Sequence, residues 1–171
     1  MDSPVSTVLP GTDTSISNVD GVECGSGTVT LTEAFARSCN TTFILGSQTL
    51  PEGALQDVTD RFGFGEPLRI PLSVTPSVFP ENPDPAQLAM SAIGQFDVQV
   101  TPLEMALVAA TIANGGVMMR PYMVSSVVDS DNTVLSRTSP QELRNPVSAS
   151  IAREVAAMMV AAVEQPYGAA R

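Results

Sequence analysis

Apolar residues recur at three- and four-residue steps along much of this chain, which is the spacing of one face of an α-helix. The first such run begins after Thr30, and Glu33 follows three residues later, at the spacing of a capping box. Asp84-Pro85 and Thr101-Pro102 each place a capping residue before a proline at the first helical position. The pattern predicts helices near residues 31–48, 54–62, 85–93, 102–114 and 148–163. We expect the first of them to bend or restart near residues 38–42, where short polar side chains compete for backbone hydrogen bonds.

The segments between these helices predict little β-structure. Residues 1–29 are rich in Ser, Thr, Pro, Gly and Asp, which indicates an extended segment with a weak strand at 14–19. Residues 118–128 and 132–136 predict a hairpin around Asp129-Ser130-Asp131-Asn132, a tip without the glycine and closing glutamate of a calcium loop. Six prolines within residues 66–85 indicate a long connection that is functional or mobile. The predicted fold class is mainly α with a small β-hairpin.

Composition and charge argue against several classes of function. The 171 residues are 43% hydrophobic, which is enough to form a core, and the net charge is −10. Nucleic acid and anionic membrane surfaces attract positive charge, so we expect neither as a partner. Two cysteines without any histidine fall short of a tetrahedral zinc site, and we expect no metal and no organic cofactor. The longest uncharged apolar stretch, Met105–Ile112, is too short to cross a bilayer, and no signal peptide is recognisable.

The tripeptide Ser38-Cys39-Asn40 is the candidate for chemistry. A serine hydroxyl becomes a good nucleophile only when a neighbouring base takes its proton. Near neutral pH that base is usually a histidine, a lysine with a lowered pKa or a carboxylate with a raised pKa. This chain has no lysine and no histidine, so of these usual bases only its carboxylates remain. On the tripeptide alone, Ser38 and Asn40 are more simply explained as polar residues of a helix surface.

Four stretches of the chain, taken together, form a more specific pattern. They are Thr30–Phe43, which contains the tripeptide; Phe62–Gly65; Ser91–Val98 with Thr101–Leu103; and Ala109–Gly116 leading into Arg120-Pro121. Their residues, order and spacing resemble the transpeptidase domain of monofunctional penicillin-binding proteins, above all the actinobacterial ones, over most of the chain. One departure is Phe96, where many relatives have a glycine after Gly-Gln.

This resemblance implies the helical lobe of an α+β fold of the penicillin-binding protein and serine β-lactamase kind. The family's chemistry uses a Ser-x-x-Lys that supplies the acylated serine, a Ser-x-Asn across the cleft and a Lys-Thr-Gly strand. Ser38 and Asn40 match the second motif. By resemblance, Ser38 would relay a proton between the lysine and the leaving amine, and Asn40 would hydrogen-bond the amide side chain of the substrate. Since the chain has no lysine, we expect a fragment that lies between the other two motifs and is inactive alone.

The implied function is part of a peptidoglycan D,D-transpeptidase that cross-links stem peptides through an acyl-serine intermediate and binds β-lactams. Such an enzyme acts outside the cytoplasm, and we expect its membrane anchor to lie outside this chain. A disulfide between Cys24 and Cys39 fits that compartment, and a small buried hydrophobe is the alternative for Cys39. The alternative function is a non-catalytic helical interaction module derived from the same family.

As a partial transpeptidase domain, the chain divides into four parts: an extended segment at 1–29, a helical lobe with the Ser-x-Asn motif at 30–116, a hairpin at 117–137 and a C-terminal helix at 146–165. In the family this lobe packs against a central sheet built mostly from other segments. The last helix then needs a partner for its apolar face, which consists of Ile151, Val155, Met158 and Met159, so we expect a homo-oligomer of the fragment. Asn40-Thr41-Thr42 also fits an N-glycosylation sequon, although a cleft position argues against glycosylation.

Overall fold

The computed structural model describes all residues from Met1 to Arg171 and contains six α-helices and six short β-strands. In chain order they are β1 (Ser6–Val8), β2 (Ser15–Ser17), α1 (Leu31–Ala36), α2 (Asn40–Ser47), α3 (Ala54–Phe62), α4 (Pro85–Ser91), α5 (Pro102–Ala113), β3 (Met118–Met119), β4 (Ser126–Val128), β5 (Val134–Arg137), β6 (Glu142–Arg144) and α6 (Ala149–Glu164). The strands form three separate two-stranded antiparallel sheets, β1–β2, β3–β6 and β4–β5. The predicted fold class, mainly helical with small β-elements, is confirmed.

The helices begin at the capping residues that the sequence indicates. Thr30 and Glu33 form a reciprocal capping box before α1, in which each side chain accepts a hydrogen bond of 3.1 Å from the other residue's backbone N–H. Asp84 and Gln87 form the same arrangement before α4. The hydroxyl of Thr101 caps α5, which starts at a proline. These bonds satisfy N–H groups that have no partner within the helix, so each start is fixed locally.

The helix expected over residues 31–48 is interrupted within the window where a restart was expected. Helix α1 ends at Ala36 and α2 begins at Asn40, because Ser38 lies in the left-handed region with a φ of 59° and Cys39 is extended. The motif therefore lies in a turn between two helices and not along one helix face.

The predicted hairpin over 118–136 was wrong in extent. Only β4 and β5 form it, with Ser126 opposite Arg137, whereas β3 pairs with β6. The tip is an Asx turn in which Asp129 Oδ1 accepts hydrogen bonds from the backbone N–H groups of Asp131 and Thr133, at 2.9 and 2.8 Å. The weak strand expected at 14–19 corresponds to β2.

The core consists of three small clusters of buried apolar residues. The first contains Cys24, Val29, Ala34 and Cys39; the second Phe62, Leu107, Ile112 and Met118; and the third Leu9, Ile44 and Ala89. Helices α1 and α5 pack against α6, and α2 packs against α4 and the β1–β2 sheet. Because Cys39 belongs to the first cluster and Ile44 to the third, the start of α2 is fixed from two sides.

An apolar groove remains open between α3, α5 and α6. Its volume is about 760 Å³, and three side chains that line it, Met105, Ile151 and Met159, are 51%, 46% and 38% exposed. Val155, from the same face of α6, is half-buried. None of the helices, around this groove or elsewhere, is long and apolar enough to cross a membrane.

Candidate active site

The Ser38-Cys39-Asn40 tripeptide forms the turn that joins α1 to α2. The backbone N–H of Ser38 donates to the carbonyl of Phe35 at 3.1 Å, and that of Cys39 donates to the carbonyl of Ala34 at 2.9 Å. Ser38 has a φ of 59°, a conformation that side-chain-bearing residues adopt at a cost and often at functional positions. The turn leaves Ser38 exposed, buries Cys39 completely and places Asn40 half-buried at the first position of α2.

The two predicted catalytic residues, Ser38 and Asn40, line the same surface depression. Its volume is about 350 Å³. The rest of its lining is apolar and comes from two helices and the end of a third: Phe35 and Phe43, with Ala92 and Ile93. A few polar groups on an otherwise apolar wall are typical of sites that orient a small ligand. The arrangement can hydrogen-bond an amide and at the same time contact an aliphatic side chain.

The side chain of Asn40 is oriented by the first sheet. Its Nδ2 donates to the backbone carbonyl of Ser17, at the end of β2, over 3.2 Å. The next residue along α2, Thr41, donates its backbone N–H to Oδ1 of Asn18 at 3.0 Å. The N-terminal segment thus contacts the motif directly, although it lies about twenty residues upstream in sequence.

Cys24 and Cys39 are joined by a disulfide, with their Cα atoms 5.9 Å apart and a separation of 15 positions in sequence. Both are also buried, at 6% and 0% exposure, in the first core cluster. Cys39 is therefore both a packed apolar residue and a covalent link. The bond ties the middle of the tripeptide to the loop that precedes α1.

The C-terminal segment packs behind the turn. The guanidinium of Arg37 lies over the ring of Tyr167, 4.5 Å from its centroid, in a cation–π contact. The backbone N–H of Ala169 donates to the carbonyl of Ala36 at 2.7 Å. Residues 167–169 thus support the end of α1 next to the motif.

No titratable side chain of this chain lines the depression beside Ser38. Hydrogen bonds from the backbone and hydroxyl of Thr30 lower the pKa of Glu33, which belongs to the cap of α1. Burial raises the pKa of Glu104 in α5, an effect partly opposed by the positive charge of Arg144. No three His, Cys, Asp or Glu side chains are grouped so that they could hold a metal ion. Ser38 also borders a second depression, whose lining includes Asp20 and Glu23, but no hydrogen bond joins a carboxylate of this chain to the Ser38 hydroxyl.

Sequence reasoning missed several residues around the motif. Phe35 and Phe43 belong to the first family-like stretch but were assigned no role there, although both flank the tripeptide and line the depression. Ala92 and Ile93 belong to the third family-like stretch, and only their place in that stretch could have marked them as residues of the site. Asn18 had no signal at all, because its partner lies 23 residues away.

Comparisons with known proteins agree with this geometry. Residues 4–171 match the family model of the penicillin binding protein transpeptidase domain. The chain is 44% identical over 167 residues to the peptidoglycan D,D-transpeptidase PbpA of Mycolicibacterium smegmatis, covering 95% of this chain. It is 42% identical to PBPA of Mycobacterium tuberculosis, whose crystal structure superposes with a TM-score of 0.87 over 97% of this chain and 40% of that one. An imipenem acyl-enzyme complex of the same M. tuberculosis protein superposes with a TM-score of 0.88 at 40% identity, over 94% of this chain and 38% of that one.

The chain spans about a third of the length of the curated relatives it matches, 34% in the case of the M. smegmatis protein. Within that third, the match to the family model extends over nearly the whole chain. The chain belongs to the penicillin-binding protein transpeptidase domain family.

Proposed function

We propose that this chain is the part of a peptidoglycan D,D-transpeptidase that supplies the Ser-x-Asn wall of the acylation site. The observation that carries the proposal is the placement of Ser38 and Asn40 side by side on one depression. It is supported by the 44% identity to a protein named as a peptidoglycan D,D-transpeptidase. The cross-linking reaction and its substrates concern the whole enzyme, of which this chain is one part.

In this proposal, the serine acylated by the substrate comes from a segment outside the chain, together with the lysine that activates it. Ser38 passes a proton between that lysine and the amine that leaves when the acyl-enzyme forms. Its exposed hydroxyl, on a turn with a fixed backbone, suits a group that both accepts and donates. Asn40 offers its side-chain amide to the amide of the bound peptide, and the bond to Ser17 fixes its direction.

The test is Ser38→Ala in the full-length protein. Removing a proton-transfer group is expected to slow acylation by a fluorescent penicillin by about 10² to 10⁴. The free energy of unfolding should change by about 0.5 kcal/mol or less, since Ser38 is exposed. The matched control is Ser130→Ala at the exposed hairpin tip, which should alter neither quantity. Acylation at the wild-type rate in Ser38→Ala would return Ser38 to the ordinary surface residues.

The 171-residue chain alone is expected not to react with penicillin. It has no lysine or histidine to deprotonate a serine, and serine with its ordinary pKa is almost entirely neutral at pH 7. After incubation with fluorescent penicillin, denaturing electrophoresis should show no labelled band for the chain and a labelled band for the full-length protein. A stable adduct on the chain would contradict the proposal that the acylated serine and its activating lysine come from a segment outside it.

We further propose that the substrates are peptidoglycan stem peptides and that β-lactams acylate the same site. The support is that solved structures of penicillin-binding protein A from M. tuberculosis are acyl-enzyme complexes with imipenem, ceftriaxone and penicillin G. The similarity to these proteins also supports the proposal that the enzyme acts outside the cytoplasm, where a disulfide such as Cys24–Cys39 persists. A segment outside the chain is proposed to anchor the protein to the cell membrane.

Self-association of the 171-residue chain is proposed through the apolar groove between α3, α5 and α6. Exposed apolar surface of this kind usually finds a partner, and Ile151 and Met159 are 46% and 38% exposed. Light scattering after size exclusion should show a mass above that of one chain. Replacing Ile151 and Met159 by Ser should reduce that mass, and a monomeric wild-type chain at high concentration would refute this part of the proposal.

A further inference from the structure

An upstream segment, residues 17–24, is linked to the motif turn by a disulfide and by hydrogen bonds. The Cys24–Cys39 disulfide fixes the middle residue of the tripeptide. The carbonyl of Ser17 accepts a hydrogen bond of 3.2 Å from Nδ2 of Asn40, the last residue of the tripeptide. Two successive motif residues are thus tied to a segment that contains no α-helix, only the end of β2 and a short 3-10 turn at Val19–Gly21, and that the motif chemistry does not use.

Asn18 lies at the centre of this segment, and its side chain is fully used. Its Nδ2 donates to the carbonyls of Pro4 and Val22, at 3.0 and 3.2 Å. Its Oδ1 accepts a bond from the backbone N–H of Thr41 at 3.0 Å and lies 3.1 Å from the Thr41 hydroxyl, whose one hydrogen is shared with the nearer carbonyl of Pro4 at 2.8 Å. Asn18 is 5% exposed and Thr41 is completely buried, so water cannot replace these bonds at no cost.

The bond to the Thr41 N–H substitutes for a missing helix cap. The first N–H groups of a helix have no partner within it and are usually satisfied by the side chain of the capping residue. Cys39 occupies the capping position of α2 and makes no such bond, and its sulfur is joined to Cys24. Asn18 provides the acceptor instead, from 23 residues upstream.

We infer that Asn18 is a positioning residue of the acylation site: by capping α2 it sets the direction in which Asn40 and Ser38 face the substrate. Its side chain is hydrogen-bonded to neither Ser38 nor Asn40, so its effect passes through the first turn of α2. The expected effect on acylation rests on the proposed function, whereas the capping of α2 by Asn18 rests on the geometry alone. Small displacements of catalytic groups are costly, and a shift of about 1 Å slows reactions by about 10²-fold.

The experiment compares three variants of the full-length protein. Asn18→Ala removes both donated bonds and the acceptor for the Thr41 N–H, and acylation by a fluorescent penicillin is expected to slow by about 10- to 100-fold. Asn18→Asp keeps an oxygen facing Thr41 but turns its other oxygen toward the carbonyls of Pro4 and Val22 in a buried site, so it is expected to lower Tm. Where the variant remains folded, its acylation rate is expected to stay within about fivefold of wild type. Met118→Ala opens a cavity in the second core cluster, away from the motif; it should lower Tm at least as much as Asn18→Ala and leave the acylation rate within about twofold.

Hydrogen exchange of the peptide covering residues 38–45 gives a second readout that needs no acylation. Protection at Thr41 should be lost in Asn18→Ala and kept in Asn18→Asp and Met118→Ala. Wild-type acylation in Asn18→Ala, or an equal loss of acylation in Met118→Ala, would overturn the positioning role. If the wild-type protein is not acylated at all, the proposed function fails, and the exchange result alone then supports or overturns the cap formed by Asn18.

Discussion

Removing the Cys24–Cys39 disulfide is expected to lower the free energy of unfolding by about 3 kcal/mol. The bond closes a loop between residues 15 apart in sequence, and cross-linking a loop of that length restricts the unfolded chain by about 3 kcal/mol in the loop-entropy model. Replacing both cysteines with alanine leaves no buried polar group in the first core cluster. It does remove two sulfur atoms from residues that are 6% and 0% exposed, which adds to the loss.

The assay is equilibrium urea denaturation of the transpeptidase domain, followed by circular dichroism, with and without a reducing agent. Reduced wild-type protein and the Cys24→Ala/Cys39→Ala variant should both unfold at lower urea concentrations than the oxidised wild type, and the variant at the lowest, because it also lacks the two buried sulfur atoms. The variant itself should not respond to the reducing agent. A second consequence concerns function, because Cys39 is the middle residue of the motif: acylation should slow in the variant under conditions where the domain remains folded.

Two results would refute this reasoning. A loss of stability below about 1 kcal/mol would mean that the loop is already restricted in the unfolded chain, so that the entropy argument does not apply. A normal acylation rate in the folded variant would mean that the hydrogen bonds of residues 17–18 hold the motif without the disulfide.

Three further predictions concern single residues. Because burial raises the pKa of Glu104, the folded chain binds a proton there more tightly than the unfolded chain; stability is therefore greatest below the ordinary carboxyl pKa and falls as the pH rises through the raised one. Glu104→Gln should remove this fall and be increasingly more stable than wild type as the pH rises, which urea titrations at several pH values will show. Gly116→Ala should lower the free energy of unfolding by at least about 2 kcal/mol more than Gly115→Ala does. Both glycines have a positive φ, but only at Gly116 would a Cβ overlap a backbone carbonyl, that of Val147. Equal melting temperatures of the two variants would contradict this. Phe96→Gly should raise the free energy of unfolding by about 0.5 kcal/mol, because Phe96 is 46% exposed and held at a φ of 60°; a lower melting temperature would show that its ring makes a contact that outweighs the strain.

The sequence by itself determined the helices and their starts. The cap of α1 joins Thr30 to Glu33, and that of α4 joins Asp84 to Gln87, each across three residues. Interactions this short are encoded by local spacing, and no tertiary contact is needed to form them. The family and the residues Ser38 and Asn40 were also visible, because four separate stretches keep their order and spacing.

Only the tertiary structure decided how the motif is built. A periodic run from residue 31 to residue 48 does not reveal that Ser38 takes a positive φ and divides the run into two helices. The pairing of β3 with β6 in place of the nearer β4 was equally invisible, since two-residue strands carry almost no pattern.

The contacts behind the motif are of the same kind. Asn18 bonds Thr41 from 23 residues away, and Cys24 bonds Cys39 across 15. The sequence offered the disulfide as one of two alternatives for Cys39, whereas no local pattern relates Asn18 to Thr41, since they approach only when the N-terminal sheet packs against α2. The identity of the candidate catalytic residues was thus set by local sequence, whereas their orientation depends on the fold, since a side chain's direction is fixed by whatever the folded chain places next to it.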